Sequence, residues 1–539
     1  MKIKRNHVEI IIFIVVYLHA LYLWTLPFQH NKIPYGEFDA ISHWELADYF
    51  AEHDKTFLNL PAFVDFSYGE NNEFRKHTLW YHPPFHTDLA AISSFAPERV
   101  VPVYFTNAVF ASSIIISIFF VMRKLYGFLT AILSSFLLSF SMMDIMPYLW
   151  GQWPERFGYA FVPIILYGFY KYYLSFAEKN AKPIYLYMTA MLLGVQVMIH
   201  PLSFFHSLVG VFVLGIALLI KTRKFPFNLK HIGISIMIFL ILFAIFPYQS
   251  GNVIKQFTKK STSQQEKPGL GRLLQWAPDA KQFSGSVPPS YFSFREMHGL
   301  WTLPFLLLGL LIILIKRENR DIFLLAWLIS LYIILHRDFI GKTTFLHRSL
   351  SASAHIFAPI TVLGILSVAS FAHYLNKNLG KAAKVIASVI FIALVMKYNI
   401  PQASSALKSA YDSPIIRLNL AQMEVSQWIK DKVPEDTNVS IIGPPPEIMQ
   451  KVWWMASYSH RISHFFEGFL TWGRYKDKPE IAKYHLMNDY VVFDYSDIGI
   501  ISDRSFVDKW AAFEQQNMQN HTLLYNKDNI KVYKYEHKA

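Results

Sequence analysis

Long apolar runs recur along the first 400 or so residues, and they constrain the architecture more than any motif does. A bilayer core about 30 Å thick asks for roughly 20 apolar residues per helix, because backbone polar groups cannot face lipid unpaired. Runs that meet or approach this length extend from Val8 to Leu26, Val101 to Met122, Tyr126 to Met146, Phe157 to Phe176, Pro183 to Ile199, Ser203 to Ile220, Ile232 to Phe246, Leu300 to Ile315, Ile322 to Leu335, Ser351 to Tyr374 and Ala382 to Met396. They predict an α-helical polytopic membrane protein of about 11 spans. Composition agrees: 53% hydrophobic and 17% charged residues is too apolar for a soluble domain, where about 25% charged is usual. Disorder and collagen-like arrays are excluded on the same grounds.

The positive charge is topological. Lys and Arg total 51 against 38 Asp and Glu, and they cluster in alternate connections: Lys2, Lys4 and Arg5, then Arg123 and Lys124, Lys179 and Lys182, Lys221 to Lys230, Lys316 to Arg320, and Lys377 and Lys381. Cytoplasmic loops retain such residues, so the N-terminus is expected inside and, with an odd number of spans, the C-terminus outside. The net charge of +13 therefore gives no reason to invoke nucleic acid, while contact with membrane lipid is expected. The first run is read as a retained anchor, since Pro27, Phe28, Gln29 and His30 follow it instead of a small-residue cleavage site. There is no cysteine, which removes disulfides, thiol nucleophiles and Cys-ligated zinc, so a metal would need His, Asp or Glu.

Residues 1–398 are thus expected to form the transmembrane domain, with outer loops 27–100 and 249–298. Residues 399–539 are expected to fold as a soluble α/β domain on the outer face. In that domain Ile416 to Ile429 has helical periodicity, Val439 to Ile442 and Tyr490 to Phe493 read as strands, and Leu523 to Tyr535 reads as a hairpin turning at Asn526 to Asn529. Ser261 to Tyr291, rich in Ser, Gln, Pro and Gly, is expected to be a lid or a plain linker.

Candidate chemistry lies in the outer segments. Asp39 and His43 are four residues apart, which on a helix puts carboxylate and imidazole on one face, and Glu37 adds a second acid. The plainer reading is an acid favoured at a helix N-terminus by its dipole. The same loop ends Trp80-Tyr81-His82-Pro83-Pro84-Phe85-His86, whose prolines predict an extended turn. Its aromatics and histidines suit either a sugar site or the headgroup level. Glu155 and Arg156 enter an apolar run, as a snorkelling pair or the wall of a polar cavity. His200-Pro201 and His206 predict a helix break with exposed histidines. Finally, His336-Arg337-Asp338 continuing through His347-Arg348 is basic on the side where basic residues are not required. A phosphate held by a guanidinium fork would explain that, the alternative being pairing of Arg337 with Asp338 or with lipid headgroups.

Together these features resemble the GT-C superfold of membrane glycosyltransferases: an acidic first outer loop (Glu37-Phe38-Asp39), about 11 spans, a flexible later outer loop, an outer arginine near Arg348 and a C-terminal exofacial domain. Gly151-Gln152-Trp153-Pro154-Glu155-Arg156-Phe157 and His200-Pro201 are similar to polytopic sugar transferases of prokaryotes. Val452-Trp453-Trp454-Met455-Ala456 lacks the acid of the Trp-Trp-Asp tripeptide of oligosaccharyltransferases, which argues against asparagine glycosylation. The resemblance implies transfer of a sugar, with inversion, from a polyprenyl-phosphate carrier to a glycan, lipid or protein acceptor at the outer face of the plasma membrane. It casts Asp39 as general base, with Glu37, His43 and Glu155 as further catalytic candidates. Arg348, Arg337, Arg156 and His347 would hold the donor phosphate, and Trp80, Tyr81, His82 and His86 would line the acceptor or sugar side. Some relatives use a divalent metal held by paired acids; here the acids are loosely spaced and no cofactor is fixed. Two other classes stand beside this one: a transporter or flippase of a lipid-linked glycan, which would place ionisable groups and broken helices at the bilayer midplane, and a non-catalytic scaffold of the same fold.

Overall fold

The computed structural model describes residues 5–29, 32–36, 38–52, 64–68, 74–76, 83–96, 98–226, 228–245, 268–283, 287–342, 346–411, 417–435, 437–442, 449–465, 488–500 and 505–536. In chain order the helices discussed are α1 (Arg5–Trp24), α2 (Phe38–Glu52), α3 (Pro83–Ser93), α4 (Val100–Leu125), α5 (Phe128–Ser139), α6 (Met142–Leu149), α7 (Trp153–Ala177), α8 (Ile184–Ile199), α9 (Pro201–Thr222) and α10 (Leu229–Ile245). They continue with α11 (Phe294–His298), α12 (Leu303–Lys316), α13 (Asn319–Leu335), α14 (Leu346–Ser351), α15 (Ser353–Leu375), α16 (Lys377–Tyr411), α17 (Leu420–Lys432), α18 (Met449–Ser459) and α19 (Ser505–Asn517). The chain divides into two compact units: Met1–Thr25, Asn107–Tyr148 and Gln152–Leu407 form the first, and Leu26–Thr106, Leu149–Gly151 and Lys408–Ala539 the second.

The first unit is helical, and the described residues of the apolar runs read from the sequence lie mostly on helices. Among the described residues five helical stretches are long and apolar enough to cross a bilayer; α5 and α6, bent by 42° at their junction, make a sixth if taken as one span. Exposed Ile11, Val15, Phe212, Ile220, Ile315 and Val385 show the lipid-facing character of these surfaces. Where lipid offers no hydrophobic drive, small residues let helices approach. A Cβ on Gly309 would lie 2.0 Å from the Ile360 carbonyl oxygen, and one on Gly364 would lie 1.9 Å from that of Phe305, so α12 and α15 pack backbone to backbone. With 35 residues, α16 is about 52 Å long and outruns the hydrocarbon core.

The second unit holds a seven-stranded sheet in the order β2-β1-β4-β3-β5-β7-β6, made of β1 (Val64–Tyr68), β2 (Phe74–Lys76), β3 (Asn438–Ile442), β4 (Ile462–Phe465), β5 (Tyr490–Asp494), β6 (His521–Lys527) and β7 (Ile530–Tyr535). β1, β4, β3 and β5 run parallel, and β2, β7 and β6 add antiparallel edges. The parallel centre is apolar on both faces, with Val439, Ile441, Ile442, Val491, Val492 and Phe493 buried, as strands covered by helices on each side require. Asn419 caps α17 in a reciprocal pair with Gln422, which starts that helix later than the periodicity suggested. The β6–β7 hairpin turns on Asp528 and Asn529 at φ 51° and 62°, the left-handed conformation a two-residue turn needs.

Candidate active site

The densest chemistry of the first unit gathers on Arg156. Proline in the first turn of α7 costs no hydrogen bond, and the positive end of the helix dipole suits Glu155 there. Glu155 and Arg156 are 0% and 1% exposed, so the pair does not snorkel. Arg156 Nη1 donates to Asp144 Oδ1 at 3.1 Å, and Nη2 donates to Glu155 Oε1 at 2.8 Å and to Ser351 Oγ. His355 Nε2 meets Asp144 Oδ1 at 2.8 Å, and Arg348 Nη1 lies 3.8 Å from Glu155 Oε2. A buried charge costs several kcal/mol unless it is paired, and here one fork serves two acids, tying α6, α7, α14 and α15 together. Asp144 Oδ2 and Glu155 Oε2 have no hydrogen-bond partner among the described residues. Arg348, with 19% of its side chain exposed, is the accessible cation of the group.

Tyr159 extends the cluster. Arg156 stacks over its ring at 4.6 Å, its hydroxyl lies 3.4 Å from His206 Nε2, and that nitrogen is 3.1 Å from Ser349 Oγ. His200 and Pro201 do break the helix between α8 and α9, but His206 is buried by these partners and is not exposed.

The basic connection after α13 has a different pairing from the one the sequence offered. Asp338 binds Arg272 Nε at 2.9 Å, not Arg337, and Arg272 also donates to the carbonyls of Leu335 and Gln275, both at 2.7 Å. Trp276 donates to Ser353 Oγ at 3.1 Å and Tyr332 to the Leu273 carbonyl at 2.9 Å. Residues 268–283 are therefore anchored to α13 and α15; residues 261–267 lie outside those described. Arg337 stacks on Phe205 at 5.7 Å, and the His347 ring is 4.9 Å from that of Phe283.

In the second unit Asp39, half-buried, occupies the first turn of α2, and His43 lies one turn on, fully buried. His43 Nδ1 meets His86 Nε2 at 2.8 Å with the rings stacked 5.0 Å apart. Pro83 and Pro84 begin helix α3 instead of an extended turn, because proline suits the first turn, where its missing N–H is no loss. Glu37, Trp80, Tyr81 and His82 lie outside the described residues. Gly151, at φ 83°, lets the chain pass the start of α2: a Cβ there would be 2.1 Å from the Ala40 nitrogen. Trp453 and Trp454 are buried, with Trp454 Nε1 donating to the Gly36 carbonyl at 3.2 Å.

One group of possible metal ligands is present among the described residues: Asp48, Glu52 and His460. Its chemistry favours an ion-pair network. His460 Nε2 is hydrogen-bonded to Asp48 at 2.7 Å and Nδ1 is at ion-pair distance, 2.9 Å, from Glu52, so acids flank the ring on both sides and favour the imidazolium. Arg99 lies 2.8 Å from Asp48 and 2.9 Å from Glu52, and Lys430 is 2.5 Å from Glu52. Three cations against two acids leave little attraction for a further cation. Burial alone would lower the pKa of His460, but its hydrogen bonds to Asp48 and Glu52 outweigh that and raise it. Burial opposes ionisation of both acids as well, yet the same contacts hold Asp48 and Glu52 below the usual carboxylate range.

Sequence reasoning assigned no role to Asp144, His355, Arg272 or Ser351. An ionisable residue inside an apolar run was the available signal for His355. Arg272 gave none, sitting in a segment of turn-like composition.

Apolar helices in the first unit and a mixed sheet in the second define a polytopic membrane protein with an α/β unit. No protein-family model matches the sequence, and no curated protein is similar to it in sequence. Solved structures are similar in fold. The oligosaccharyltransferase AglB from Archaeoglobus fulgidus, in complex with an inhibitory peptide and a dolichol-phosphate, matches at a TM-score of 0.63 and 13% identity over 99% of this chain and 74% of its own. ArnT from Cupriavidus metallidurans, bound to undecaprenyl phosphate, matches at 0.55 and 11% identity over 97% of each chain. The chain has the GT-C fold that these membrane glycosyltransferases share.

Proposed function

We propose that the protein is a GT-C glycosyltransferase of the plasma membrane that moves a sugar from a polyprenyl-phosphate carrier to an acceptor hydroxyl outside the cytoplasm, with inversion. The observation that carries this reading is the fold, shared along almost the whole chain with two structures that hold dolichol-phosphate and undecaprenyl phosphate. In the reaction the acceptor oxygen bonds to the anomeric carbon as the bond from that carbon to phosphate breaks. The hydroxyl proton passes to a carboxylate, and polyprenyl phosphate leaves. Asp39, in the first turn of α2, is assigned the proton, with Glu37, His43 and Glu155 as alternatives. Arg348 is assigned the departing phosphate, with Arg337 and His347 in support. His86, Trp80, Tyr81 and His82 are assigned to the sugar or acceptor. A divalent metal, if used, would draw on these acids; Asp48 and Glu52 are already neutralised by cations.

The test is transfer by purified protein from a polyprenyl-phosphate sugar panel. Asp39→Asn is expected to leave folding intact and lower turnover by about 100-fold or more, the scale of a lost general base. Near-normal turnover in that variant removes Asp39 from the chemistry, and a folded wild type that transfers no sugar from any donor counts against the enzyme in favour of a scaffold.

A further inference from the structure

The fastened segment that precedes α11 is built inside out. In its 3-10 turn Leu270–Leu274 the one charged residue, Arg272, is buried, while Leu270, Leu273 and Leu274 are 81%, 44% and 93% exposed. A turn resting in water shows the reverse, with leucines turned in and the guanidinium out. Looseness does not explain the exposure, because Arg272 binds Asp338 and the Tyr332 hydroxyl donates to the Leu273 carbonyl. Ile340, two residues beyond Asp338, is 77% exposed as well. Tyr332 adjoins Ile333 on α13, where Ile329 and Ile333 are exposed one turn apart. The apolar patch therefore continues the outward face of a helix whose sequence reads as a membrane span.

The backbone of the turn is equally suited to an apolar medium. Irregular chain is tolerated at membrane depth only where its polar groups are paired within the protein. The Arg272 N–H donates to the Gly269 carbonyl at 2.9 Å, and the Gln275 N–H to that of Arg272 at 3.1 Å. The carbonyls of Leu273 and Gln275 accept from the Tyr332 hydroxyl and from Arg272 Nη1. Exposed charge returns only past Trp276, at Asp279 and Lys281.

We propose that residues 270–274, together with Ile340, form a shelf that sinks into the acyl chains of the bilayer at the end of α13, so that this connection is a lipid anchor and not a water-exposed lid. Lipid is the occupant the pattern selects. It covers the adjoining Ile329 and Ile333, and it asks for no matching polar groups, of which the side chains of Leu270, Leu273, Leu274 and Ile340 offer none. Trp276 then takes the place of an interfacial aromatic, with Asp279 and Lys281 in water beyond it.

The chain contains no cysteine, so a single introduced one carries the only label. Leu270→Cys, Leu274→Cys, Asp279→Cys and Ile333→Cys of the full-length protein are each given a nitroxide and reconstituted in phospholipid nanodiscs. Electron paramagnetic resonance then compares collision of each label with dissolved oxygen, which concentrates among acyl chains, and with a water-soluble nickel chelate. Labels at 270 and 274 are expected about 5 to 10 Å below the phosphate level, the depth of interfacial helices, and the label at 279 outside it. The label at 333 marks the lipid-facing helix. Labels at 270 and 274 as open to nickel as the label at 279 overturn the proposal, and so does a label at 333 that lies in water. The measurement is independent of sugar transfer, so loss of the enzymatic reading leaves the lipid anchor standing or falling on its own result.

Discussion

His460→Asn should unfasten part of the second unit, and should do so in a pH-dependent way. The imidazolium makes two contacts, 2.7 Å to Asp48 and 2.9 Å to Glu52, from a residue 5% exposed. The charge-assisted hydrogen bond to Asp48 is worth about 1.5 to 3 kcal/mol and the ion pair with Glu52 up to about 1 kcal/mol, and asparagine, which tolerates φ near the observed 50°, returns about 1 kcal/mol of backbone strain. Arg99 and Lys430 still neutralise the two acids after the substitution, so no buried charge is stranded. A net loss of about 0.5 to 3 kcal/mol follows. His460 has a raised pKa in the folded protein, so its contribution is complete below the unfolded value of about 6.5 and disappears as pH rises through the folded value. Asp48 and Glu52 are lowered, so theirs is complete above about 4 and fades as pH falls below it. Hydrogen exchange of full-length protein in detergent, read on peptides from α2 and from α18 through β4, should show wild-type protection declining on the alkaline side after correction for intrinsic rates. In His460→Asn it should already be low near pH 6 and change little with alkali. Identical pH profiles for the two proteins would refute the imidazolium bridge.

Gly364→Ala should lower the unfolding temperature in detergent, because a Cβ 1.9 Å from the Phe305 carbonyl forces α12 and α15 apart at a cost of about 1 to 3 kcal/mol; Gly233→Ala in α10, where a Cβ meets nothing within 4 Å, is the control, and equal effects would defeat the close-packing argument. Arg272→Ala leaves Asp338, 4% exposed, without its partner, a loss of about 3 to 5 kcal/mol that should appear as new protease cleavage within 268–283; an unchanged digest would show that the segment is held by other contacts.

The helices were legible because lipid enforces a single rule on each of them, and a run of apolar residues is both cause and symptom of a span. The local strands were legible for a similar reason: Tyr490 to Phe493 is an uninterrupted apolar segment, Val439 to Ile442 is apolar but for Ser440, and Asn526 to Asn529 carries its own turn chemistry. The pairing of β1 with β4 was not, since Val64 and Asp65 meet Ser463 and His464 some 400 residues away and no local pattern records such a partner. Nor did composition reveal that residues 268–283 are fastened, because two anchors, Arg272 and Trp276, settle what the surrounding Gly and Pro leave free.

For the site, residue type was readable and pairing was not. Glu155 and Arg156 are adjacent and drew attention together, yet the second acid on Arg156 is Asp144, from a different helix, and its brace His355 stands 211 residues from Asp144. The same holds for Asp338, whose neighbour Arg337 is sequence-adjacent but whose counter-ion is Arg272. In a low-dielectric interior each buried charge must find an opposite charge with the right geometry, and adjacent side chains on a helix diverge by about 100°, so the partner generally comes from elsewhere in the chain. Charge balance can be counted only once the fold brings these residues together: Asp144 and Glu155 beside Arg156 leave one acid over, and the basic groups nearest the pair are His355 on Asp144 and Arg348, 3.8 Å from Glu155.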